Sequence, residues 1–248
     1  MANITNAEIK HIRSLSQKKF RDETGLFVVE GEKMVSEAQK SGFEVVSVYK
    51  KDEIGEESMS RISQLSTPSP VLAVVQKPSK SADVSKLFEN GGFFLALDTI
   101  RDPGNLGTIL RIADWYGIDA VFATQDTVDL FNPKVVQSTM GAIFRVKFYV
   151  VDLPAIATSI LKCGGKVYGT FLDGENMYCK NLSTGDDCPV MLVIGNESNG
   201  ISKQMGELVS DRLYLPPYPE NDPGSESLNA AVATAIAVSE FRRRLTQK

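Results

Sequence analysis

Residues 93–117 read FFLALDTIRDPGNLGTILRIADWYG, in which an apolar run gives way to a polar loop and then to a second apolar pattern. The first run predicts a buried strand over residues 93–98, and the apolar spacing after the loop predicts a helix over residues 105–116. Gly117 is a helix stop, and the apolar residues 120–123 predict a second strand. A strand, a helix and a strand in succession are typical of a parallel sheet that helices cover on both faces.

The same alternation continues to the end of the chain. The apolar patterns predict helices over residues 133–140, 153–163, 201–208 and 227–245, and strands over residues 146–151, 166–172, 190–195 and 212–216. Ligands of such sheets bind outside the carboxyl ends of the strands. We therefore expect a functional site in the loops that follow the strands.

The N-terminal part of the chain predicts a smaller α/β unit. Its expected elements are strands over residues 26–29, 44–49 and 71–75 and a helix over residues 31–41. Residues 77–91, KPSKSADVSKLFENG, are polar and rich in helix and strand breakers, which is typical of a linker. The sequence thus predicts a domain over residues 1–76 and a second domain over residues 92–248.

Composition limits the classes of function. The 248 residues are 42% hydrophobic and 23% charged with a net charge of −4, so the protein has no overall basic signature of nucleic-acid binding. A local basic stretch does occur near the N-terminus, where Glu8 is the one acid among several cations. It predicts a solvated helix face or, alternatively, a local patch that contacts the phosphates of a nucleic acid; the candidates for such contacts are Arg13, Lys18, Lys19 and Arg21.

The cysteine and histidine content argues against two further kinds of protein, those with a disulfide framework and those with a metal site. Three cysteines without a CxxC spacing disfavour a disulfide framework and favour a reducing cytoplasm. A single histidine and scattered thiols disfavour a metal site. We also expect neither a signal peptide nor a membrane span, because the sequence has no apolar stretch approaching ~18 residues.

The loop after the strand at 93–98 contains two polar residues of interest. Asn105 lies at the mouth of the predicted helix, where it is either an N-cap or part of a site. Arg111 interrupts the apolar helix pattern; it either pairs with Asp114 three residues later or points into a cleft and binds a carboxylate or phosphate. The loop has no glycine fingerprint of a dinucleotide site or a P-loop.

Two later loops have the same design. In MLVIGNESNGIS, residues 191–202, Gly195 permits close approach of a ligand to the backbone, Asn196 suits a turn, and Glu197 is hard to explain as turn chemistry. In the loop that follows the strand at 212–216, Ser227 is the expected N-cap of an alanine-rich helix and Asn229 falls in its first turn. With the only histidine far away in the sequence, positioning and electrostatics are the expected mode of any catalysis.

Together, the three loops resemble the SpoU (TrmH-like) branch of the SPOUT RNA 2′-O-ribose methyltransferases. The motifs that carry the resemblance are DPGNLGTILRIAD, VIGNESNGIS and the SLN of LPPYPENDPGSESLNAAVATAIAVSE. The third loop is about four residues longer than is usual in the family, although its SLN is intact. The N-terminal segment KKFRDETGLFVVEGEKMVSEA is similar to the family's small ribosomal-protein-like (L30e-like) RNA-binding domain.

The resemblance implies an α/β fold whose C-terminal parallel-sheet domain contains a deep trefoil knot. It implies S-adenosylmethionine (SAM) as cofactor, a homodimer formed through the C-terminal domain, and methyl transfer to a ribose 2′-hydroxyl in structured RNA, with ribosomal RNA favoured. The family motifs place cofactor contacts at Thr170, Gly195, Asn196, Leu215 and Leu228.

The same motifs place the catalytic group at Asn105, Arg111, Glu197, Ser227 and Asn229. Our hypothesis is that Arg111 holds the target phosphate and stabilises negative charge on the 2′-oxygen, while Glu197 orients Arg111 or its partner loop. The alternatives are a tRNA methyltransferase of the same family, an RNA-binding protein without activity, and a small-molecule enzyme with a nucleotide cofactor, which the missing glycine fingerprints disfavour.

Overall fold

The computed structural model describes residues 4–78, 84–183, 185, 188–219 and 227–245. The strands are β1 (Leu26–Glu30), β2 (Val45–Lys50), β3 (Val71–Gln76), β4 (Phe93–Asp98), β5 (Ala120–Ala123), β6 (Phe148–Val150), β7 (Lys166–Asn176), β8 (Val190–Gly195) and β9 (Asp211–Tyr214). The helices are α1 (Asn6–Ser14), α2 (Lys18–Thr24), α3 (Glu32–Lys40), α4 (Lys51–Ile54), α5 (Glu56–Ile62), α6 (Pro103–Trp115), α7 (Pro133–Ser138), α8 (Leu153–Lys162), α9 (Lys203–Gly206) and α10 (Ala230–Leu245).

The chain divides into two compact units. The first consists of Met1–Ser81 with Asp129–Arg145, and the second of Ala82–Val128 with Val146–Lys248. The contacts of Asp129–Arg145 with the first unit were not anticipated from the sequence, and the predicted domain boundaries stay a prediction. In the predicted linker, residues 79–83 lie outside the described residues, whereas Val84–Phe88 form a 3₁₀ helix and Phe88 is buried.

The first unit has a three-stranded antiparallel sheet in the order β1-β3-β2, with a layer on each face. Side chains alternate along the strands, so that Phe27 and Val29 face one side and Val28 faces the other. The first side packs against α3, α7 and the 3₁₀ helix Ala142–Phe144, and the second against α1 and α5. Helix α7 ends two residues before its predicted end because Met140 and Gly141 adopt positive φ.

Arg21 is a structural residue of this unit. Its side chain is 2% exposed, and it donates hydrogen bonds to Asp129 Oδ2 at 2.6 and 3.2 Å and to the carbonyl oxygens of Leu15 and Ser16 at 2.9 and 2.8 Å. The prediction that Arg21 contacts RNA is therefore wrong, because its donors are already used inside the protein. Arg13, Lys18 and Lys19 are exposed, and their RNA contacts stay a prediction.

The second unit has a six-stranded sheet in the order β6-β5-β4-β8-β7-β9, and all adjacent strands are parallel. This confirms the predicted α/β fold with a parallel C-terminal sheet. On one face, Phe94, Phe122 and Met191 pack against α8. On the other face, Phe93 packs against Phe241 of α10, with ring centroids 4.9 Å apart.

Two elements of the second unit differ most from the sequence prediction. Strand β7 runs four residues further than expected, because Glu175 and Asn176 resume pairing with β9 after an irregularity in register. Helix α9 is shorter than the predicted 201–208, since Ser202 caps it and it ends at Gly206. Neither difference changes the order of the strands.

The described residues contain neither a membrane-spanning helix nor a candidate metal site. None of their helices is long and apolar enough to cross a membrane. They also contain no group of three or more His, Cys, Asp or Glu side chains that is placed to hold a metal ion. The three cysteines, Cys163, Cys179 and Cys188, are free.

We predict that Arg21→Ala lowers the free energy of unfolding by about 3 kcal/mol, because removing one partner of a buried ion pair leaves the other without compensation. The matched control is Lys19→Ala on the same helix, whose exposed pair with Glu23 contributes at most about 0.5 kcal/mol. Chemical denaturation of the full chain measures both values. Equal stability of the two variants would contradict the structural assignment of Arg21.

Candidate functional site

The strand order of the second unit creates a crevice at the carboxyl ends of β4 and β8. These strands are adjacent and in register from Phe93↔Val190 to Asp98↔Gly195. After β4 the chain continues through α6 to β5 on one side, and after β8 it continues through α9 to β9 on the other side. Because the two connections leave in opposite directions, they open a crevice between the loops, which is where α/β sheets bind ligands.

A chain of side-chain hydrogen bonds joins the three polar loops in this crevice. Asn105 Nδ2 donates to Glu197 Oε1 at 2.6 Å, and Asn229 Nδ2 donates to Asn105 Oδ1 at 2.9 Å. The residues are 92 and 124 positions apart in the two pairs. We call this group the Asn105–Glu197–Asn229 array; it confirms that β4, β8 and the third loop bring these side chains together.

The direction of the hydrogen bonds in the array follows from its two ends. Asn229 Oδ1 accepts from the backbone N–H groups of Ala231 and Val232 at 2.9 and 3.2 Å, so its Nδ2 must face Asn105. At the other end, an ionised Glu197 can only accept. Asn105 must therefore turn its oxygen to Asn229 and its nitrogen to Glu197, and neither amide can be reversed without losing bonds.

The caps of the two helices differ from those expected. Asp102 caps α6 by accepting from Asn105 N at 2.7 Å, which leaves the Asn105 side chain free to join the array. Asn229, not Ser227, caps α10, so the prediction that Ser227 is the cap is wrong. The signal for Asp102 was present in the sequence, because Asp before Pro at the first helical position is a typical helix start.

Arg111 lies apart from the array. It is exposed and makes no hydrogen bond or ion pair with the described residues, so the alternative in which it pairs with Asp114 is not found. Six residues along a helix correspond to a rotation of about 240°, which places Asn105 and Arg111 on different faces of α6. Glu197 accordingly contacts the partner loop through Asn105, and the described residues show no hydrogen bond or ion pair between it and Arg111.

The turn after β8 has a structural role that the sequence left open. Asn196 Oδ1 accepts from the N–H groups of Ser198 and Asn199 at 2.9 and 3.1 Å, which is turn chemistry. A Cβ on Gly195 would lie 2.3 Å from the carbonyl carbon of Gly200. Gly195 is therefore required for the closure of its own loop, independently of any ligand.

A cavity of about 460 Å³ opens beside this turn. Its lining includes Thr170 at the end of the paired part of β7, together with Ile201, Lys203 and Arg212. The Arg212 guanidinium lies over the ring of Phe171 at 3.6 Å from its centroid. Of the predicted cofactor residues, Thr170 lines this cavity, whereas Leu215 is half-buried and Leu228 is 50% exposed outside its lining.

The C-terminal end of α10 is anchored by charge, and this fixes the helix that carries Asn229. Glu240 is buried, and hydrogen bonds from Arg243 and Arg244 lower the pKa of its carboxyl to about 2. Arg242 donates to the carbonyl oxygens of Tyr116 and Gly117, which follow α6, at 2.9 and 2.6 Å. The two helices of the array are thus tied together at the ends remote from it.

We predict that Asn229→Ala and Asn229→Ser separate the two roles of this residue. Alanine removes an N-cap and should lower the free energy of unfolding by about 1 kcal/mol, whereas serine caps nearly as well and should cost only a few tenths. Thermal denaturation measures this difference. Lys162→Ala, at an exposed position of α8, is the control and should leave stability unchanged. Equal losses for Asn229→Ala and Asn229→Ser would contradict the cap.

Comparison with known proteins agrees with this geometry. A model of the SpoU rRNA Methylase family matches residues 92–239, and a model of the MRM3-like substrate binding domain matches residues 6–77. The 23S rRNA (guanosine(2553)-2′-O)-methyltransferase RlmP of Bacillus subtilis is 32% identical over 252 residues, which cover 96% of each protein. The human mitochondrial rRNA methyltransferase 3 is 26% identical, with 93% of this chain and 70% of the relative covered.

Solved structures of other proteins have a similar fold. The AdoMet-bound rRNA methyltransferase of Sinorhizobium meliloti superposes with a TM-score of 0.85 at 29% identity, and 98% of each chain is covered. The matched family model spans the three loops that meet in the crevice, and the relatives match almost the whole chain. The chain therefore belongs to the SpoU rRNA methylase family, as the resemblance of its three loops predicted.

Proposed function

We propose that the protein is a SAM-dependent methyltransferase that transfers a methyl group to a ribose 2′-hydroxyl of ribosomal RNA. The observation that carries the proposal is the Asn105–Glu197–Asn229 array in the crevice between β4 and β8. The names of the relatives support both the reaction and the choice of ribosomal over transfer RNA, and the AdoMet-bound relative supports the cofactor.

The cavity beside the turn fits a cofactor of this kind. Its volume of about 460 Å³ falls in the range of small-molecule sites, and its lining combines polar side chains with the ring of Phe171. We propose that Thr170, which lines this cavity, holds SAM together with four residues outside its lining, mainly through backbone groups: Gly195, Asn196, Leu215 and Leu228. Bound SAM supplies a methyl group already activated on a sulfonium, so the protein has to align it with the attacking oxygen.

The array is suited to holding a ribose hydroxyl. In each amide, Nδ2 uses one N–H within the array and keeps a second, and Asn105 Oδ1 keeps one lone pair. A hydroxyl both donates and accepts, so it can satisfy these groups. Glu197 fixes Asn105 through a charge-assisted bond, and this removes rotational freedom that would otherwise be lost on substrate binding.

We propose a homodimer in which Arg111 serves the array of the other copy. Arg111 is exposed on α6, away from the array of its own chain, and Trp115, one turn later on the same helix, is 86% exposed. Val232 is also exposed on α10, a helix that contacts α6, and two exposed apolar side chains on neighbouring helices suit a surface that a second copy covers. There the guanidinium holds the phosphate next to the target ribose and stabilises negative charge on the 2′-oxygen; Ser227 fixes the third loop.

We further propose that the C-terminal unit is threaded as a trefoil knot, as in the family that its motifs match. Pulling a single molecule from both ends tests this, because a retained knot leaves the stretched chain shorter than its full contour length. A cytoplasmic location accords with the three free cysteines, since reduced thiols are typical of that compartment.

We predict that Arg111→Ala lowers turnover by about 10²–10³-fold while SAM still binds, because one stabilising donor is removed from the transition state. Methyl incorporation into ribosomal RNA from cells that lack the gene measures the rate, and calorimetry measures SAM affinity. Lys162→Ala, at an exposed position of the same unit, is the control. A near wild-type rate for Arg111→Ala, or incorporation into transfer RNA only, would refute the assignment.

Complementation tests the shared site in the same assay. Asn105→Ala and Arg111→Ala chains, each inactive alone, are co-expressed. In a mixed dimer, the intact array of the Arg111→Ala chain faces the intact arginine of the Asn105→Ala chain, so one of the two sites is complete. About half of the dimers are mixed when chains pair at random, and the activity recovered is therefore on the order of a quarter of the wild-type activity. No recovery would show that Arg111 serves its own chain.

We propose that the first unit holds the RNA by its exposed cations. Arg13, Lys18 and Lys19 lie on α1 and α2, and the i,i+4 pairs of Lys18 with Asp22 and of Lys19 with Glu23 are solvent-exposed and weak. RNA phosphates can therefore compete for these cations.

We predict that the double substitution Lys18→Ala and Lys19→Ala reduces the slope of log affinity against log salt by roughly 0.7–0.9 per lysine, as two phosphate contacts are lost. Filter binding of an rRNA fragment at several salt concentrations measures the slope. The control is Lys40→Ala on α3, which should keep the wild-type slope. An unchanged slope in the double variant would rule out this surface.

A further inference from the structure

Two residues at the end of β4 have no part in the function described so far. Asp98 is 4% exposed, and within the described part of the chain no cation pairs with it. Its Oδ2 accepts from the backbone N–H of Ser202 at 2.7 Å, and its Oδ1 accepts from Thr99 Oγ1 at 3.3 Å. A buried carboxylate is costly unless it is hydrogen-bonded, so these bonds are what make Asp98 tolerable there.

Thr99 has an unusual backbone. Its φ is +65°, a conformation that is strained for a β-branched residue and that persists only when its surroundings enforce it. Both of its backbone polar groups are held: its N–H donates to Thr124 Oγ1 at 2.9 Å, and its carbonyl oxygen accepts from Asn196 Nδ2 at 2.8 Å. Strain of this kind is concentrated at functional sites.

The two residues contact both ends of the turn that carries Glu197. Thr99 holds Asn196, which directly precedes Glu197, and Asp98 holds Ser202, which caps α9. Between these points, the turn is closed on itself by the backbone bonds between Asn196 and Gly200, both 2.9 Å long. The turn is thus fixed to the end of β4 at two places, and β4 leads directly into the loop of Asn105.

We infer that Asp98 and Thr99 are positioning residues that set the distance between Glu197 and Asn105, and thereby the geometry of the array. The inference rests on the proposed function for its catalytic consequence. Without the two ties, the exposed turn would move independently of α6, and the 2.6 Å bond between Asn105 and Glu197 would not be maintained. A displacement of about 1 Å at such a site can cost about 10²-fold in rate.

The test compares Asp98→Asn with a matched control, a carboxylate that binds the other end of the same strand. Asp98→Asn keeps the shape of the side chain but removes its charge and one of its two acceptor oxygens, so the ties to Ser202 and Thr99 are weakened. The control is Asp119→Asn: Asp119 Oδ2 accepts from Phe93 N at 2.8 Å, at the amino end of β4 and thus remote from the array. Both variants weaken one hydrogen bond that a carboxylate accepts from a backbone N–H, so a merely structural role predicts similar behaviour.

The first readout is independent of activity. The side-chain amide ¹H–¹⁵N resonances of Asn105 and Asn229, assigned with Asn→Asp variants, report the bonds of the array. Asp98→Asn should shift both resonances and Asp119→Asn should leave them in place. Unshifted resonances in Asp98→Asn, or equal shifts in the two variants, would overturn the inference.

The second readout is the split between kcat and KM for the methylation of ribosomal RNA. Asp98→Asn should lower kcat about 10²-fold with the KM for RNA unchanged within about twofold, because the loss falls on the transition state rather than on RNA binding. Asp119→Asn should keep the wild-type kcat, and a wild-type kcat in Asp98→Asn would overturn the inference. If the wild-type chain methylates no RNA, the proposed function fails, and the amide resonances alone decide the inference.

A second pair of variants covers the case in which Asp98→Asn does not fold. Ser202 has φ −59°, which proline can adopt, so Ser202→Pro removes the N–H that Asp98 accepts from. Ser202→Ala loses the same side-chain cap but keeps that N–H, and it is therefore the control. The inference requires shifted Asn105 and Asn229 resonances in Ser202→Pro relative to Ser202→Ala, and identical spectra would overturn it.

Discussion

The parallel pairing of β4 with β8 is the constraint on which the candidate site depends. Six residue pairs, from Phe93↔Val190 to Asp98↔Gly195, hold the two strands in register, and nearly all of their side chains are buried. A slip of one residue would turn each apolar set to the opposite face, so the register is strongly specified. Because the register is fixed, the ends of the strands coincide, and the loops that begin there meet across the crevice.

The polar groups at these ends form two layers of hydrogen bonds. The inner layer lies close to the sheet and consists of two bonds between a side chain and the backbone. The Asp98 carboxylate accepts from the backbone N–H of Ser202, and the Asn196 side chain donates to the backbone carbonyl of Thr99. The outer layer is the Asn105–Glu197–Asn229 array, which is open to solvent and keeps donors and an acceptor unused. The inner layer gives rigidity, and the outer layer keeps the unused groups to which the proposed function assigns the ribose. In water the outer bonds are weak, and their strength rises when a substrate or a second copy excludes solvent.

Whether a charged residue has a structural role in this protein depends on its burial and not on its residue type. Arg21 and Lys19 lie on the same helix, yet Arg21 ends inside the first unit against Asp129, and Lys19 stays in water. Glu240 is likewise held inside the second unit by Arg243 and Arg244, whereas Glu197 is exposed with an amide as its partner. Planar guanidinium groups satisfy several acceptors at once, which makes arginine the cation that tolerates burial.

The sequence by itself determined most elements of the second unit and the family, although four helices of the first unit, α1, α2, α4 and α5, were not predicted. Periods of two and 3.6 residues are local properties, so the strand over residues 93–98 agrees with the structure at both ends and α6 was placed within two residues. The three polar loops were also readable, because each follows an apolar strand. Their convergence followed from the general rule for parallel sheets and needed no coordinates.

Only the tertiary structure decided which partner each polar residue takes. Nothing near Arg21 in the sequence indicates Asp129, which is 108 positions away, and nothing near Asn105 indicates Glu197 or Asn229. The path of the third loop decides that Asn229, and not Ser227, caps α10. The face of α6 on which Arg111 lies decides its separation from the array. Hydrogen bonds and ion pairs are short-range in space but unrestricted in sequence, and for that reason local patterns predict the elements and leave their polar contacts open.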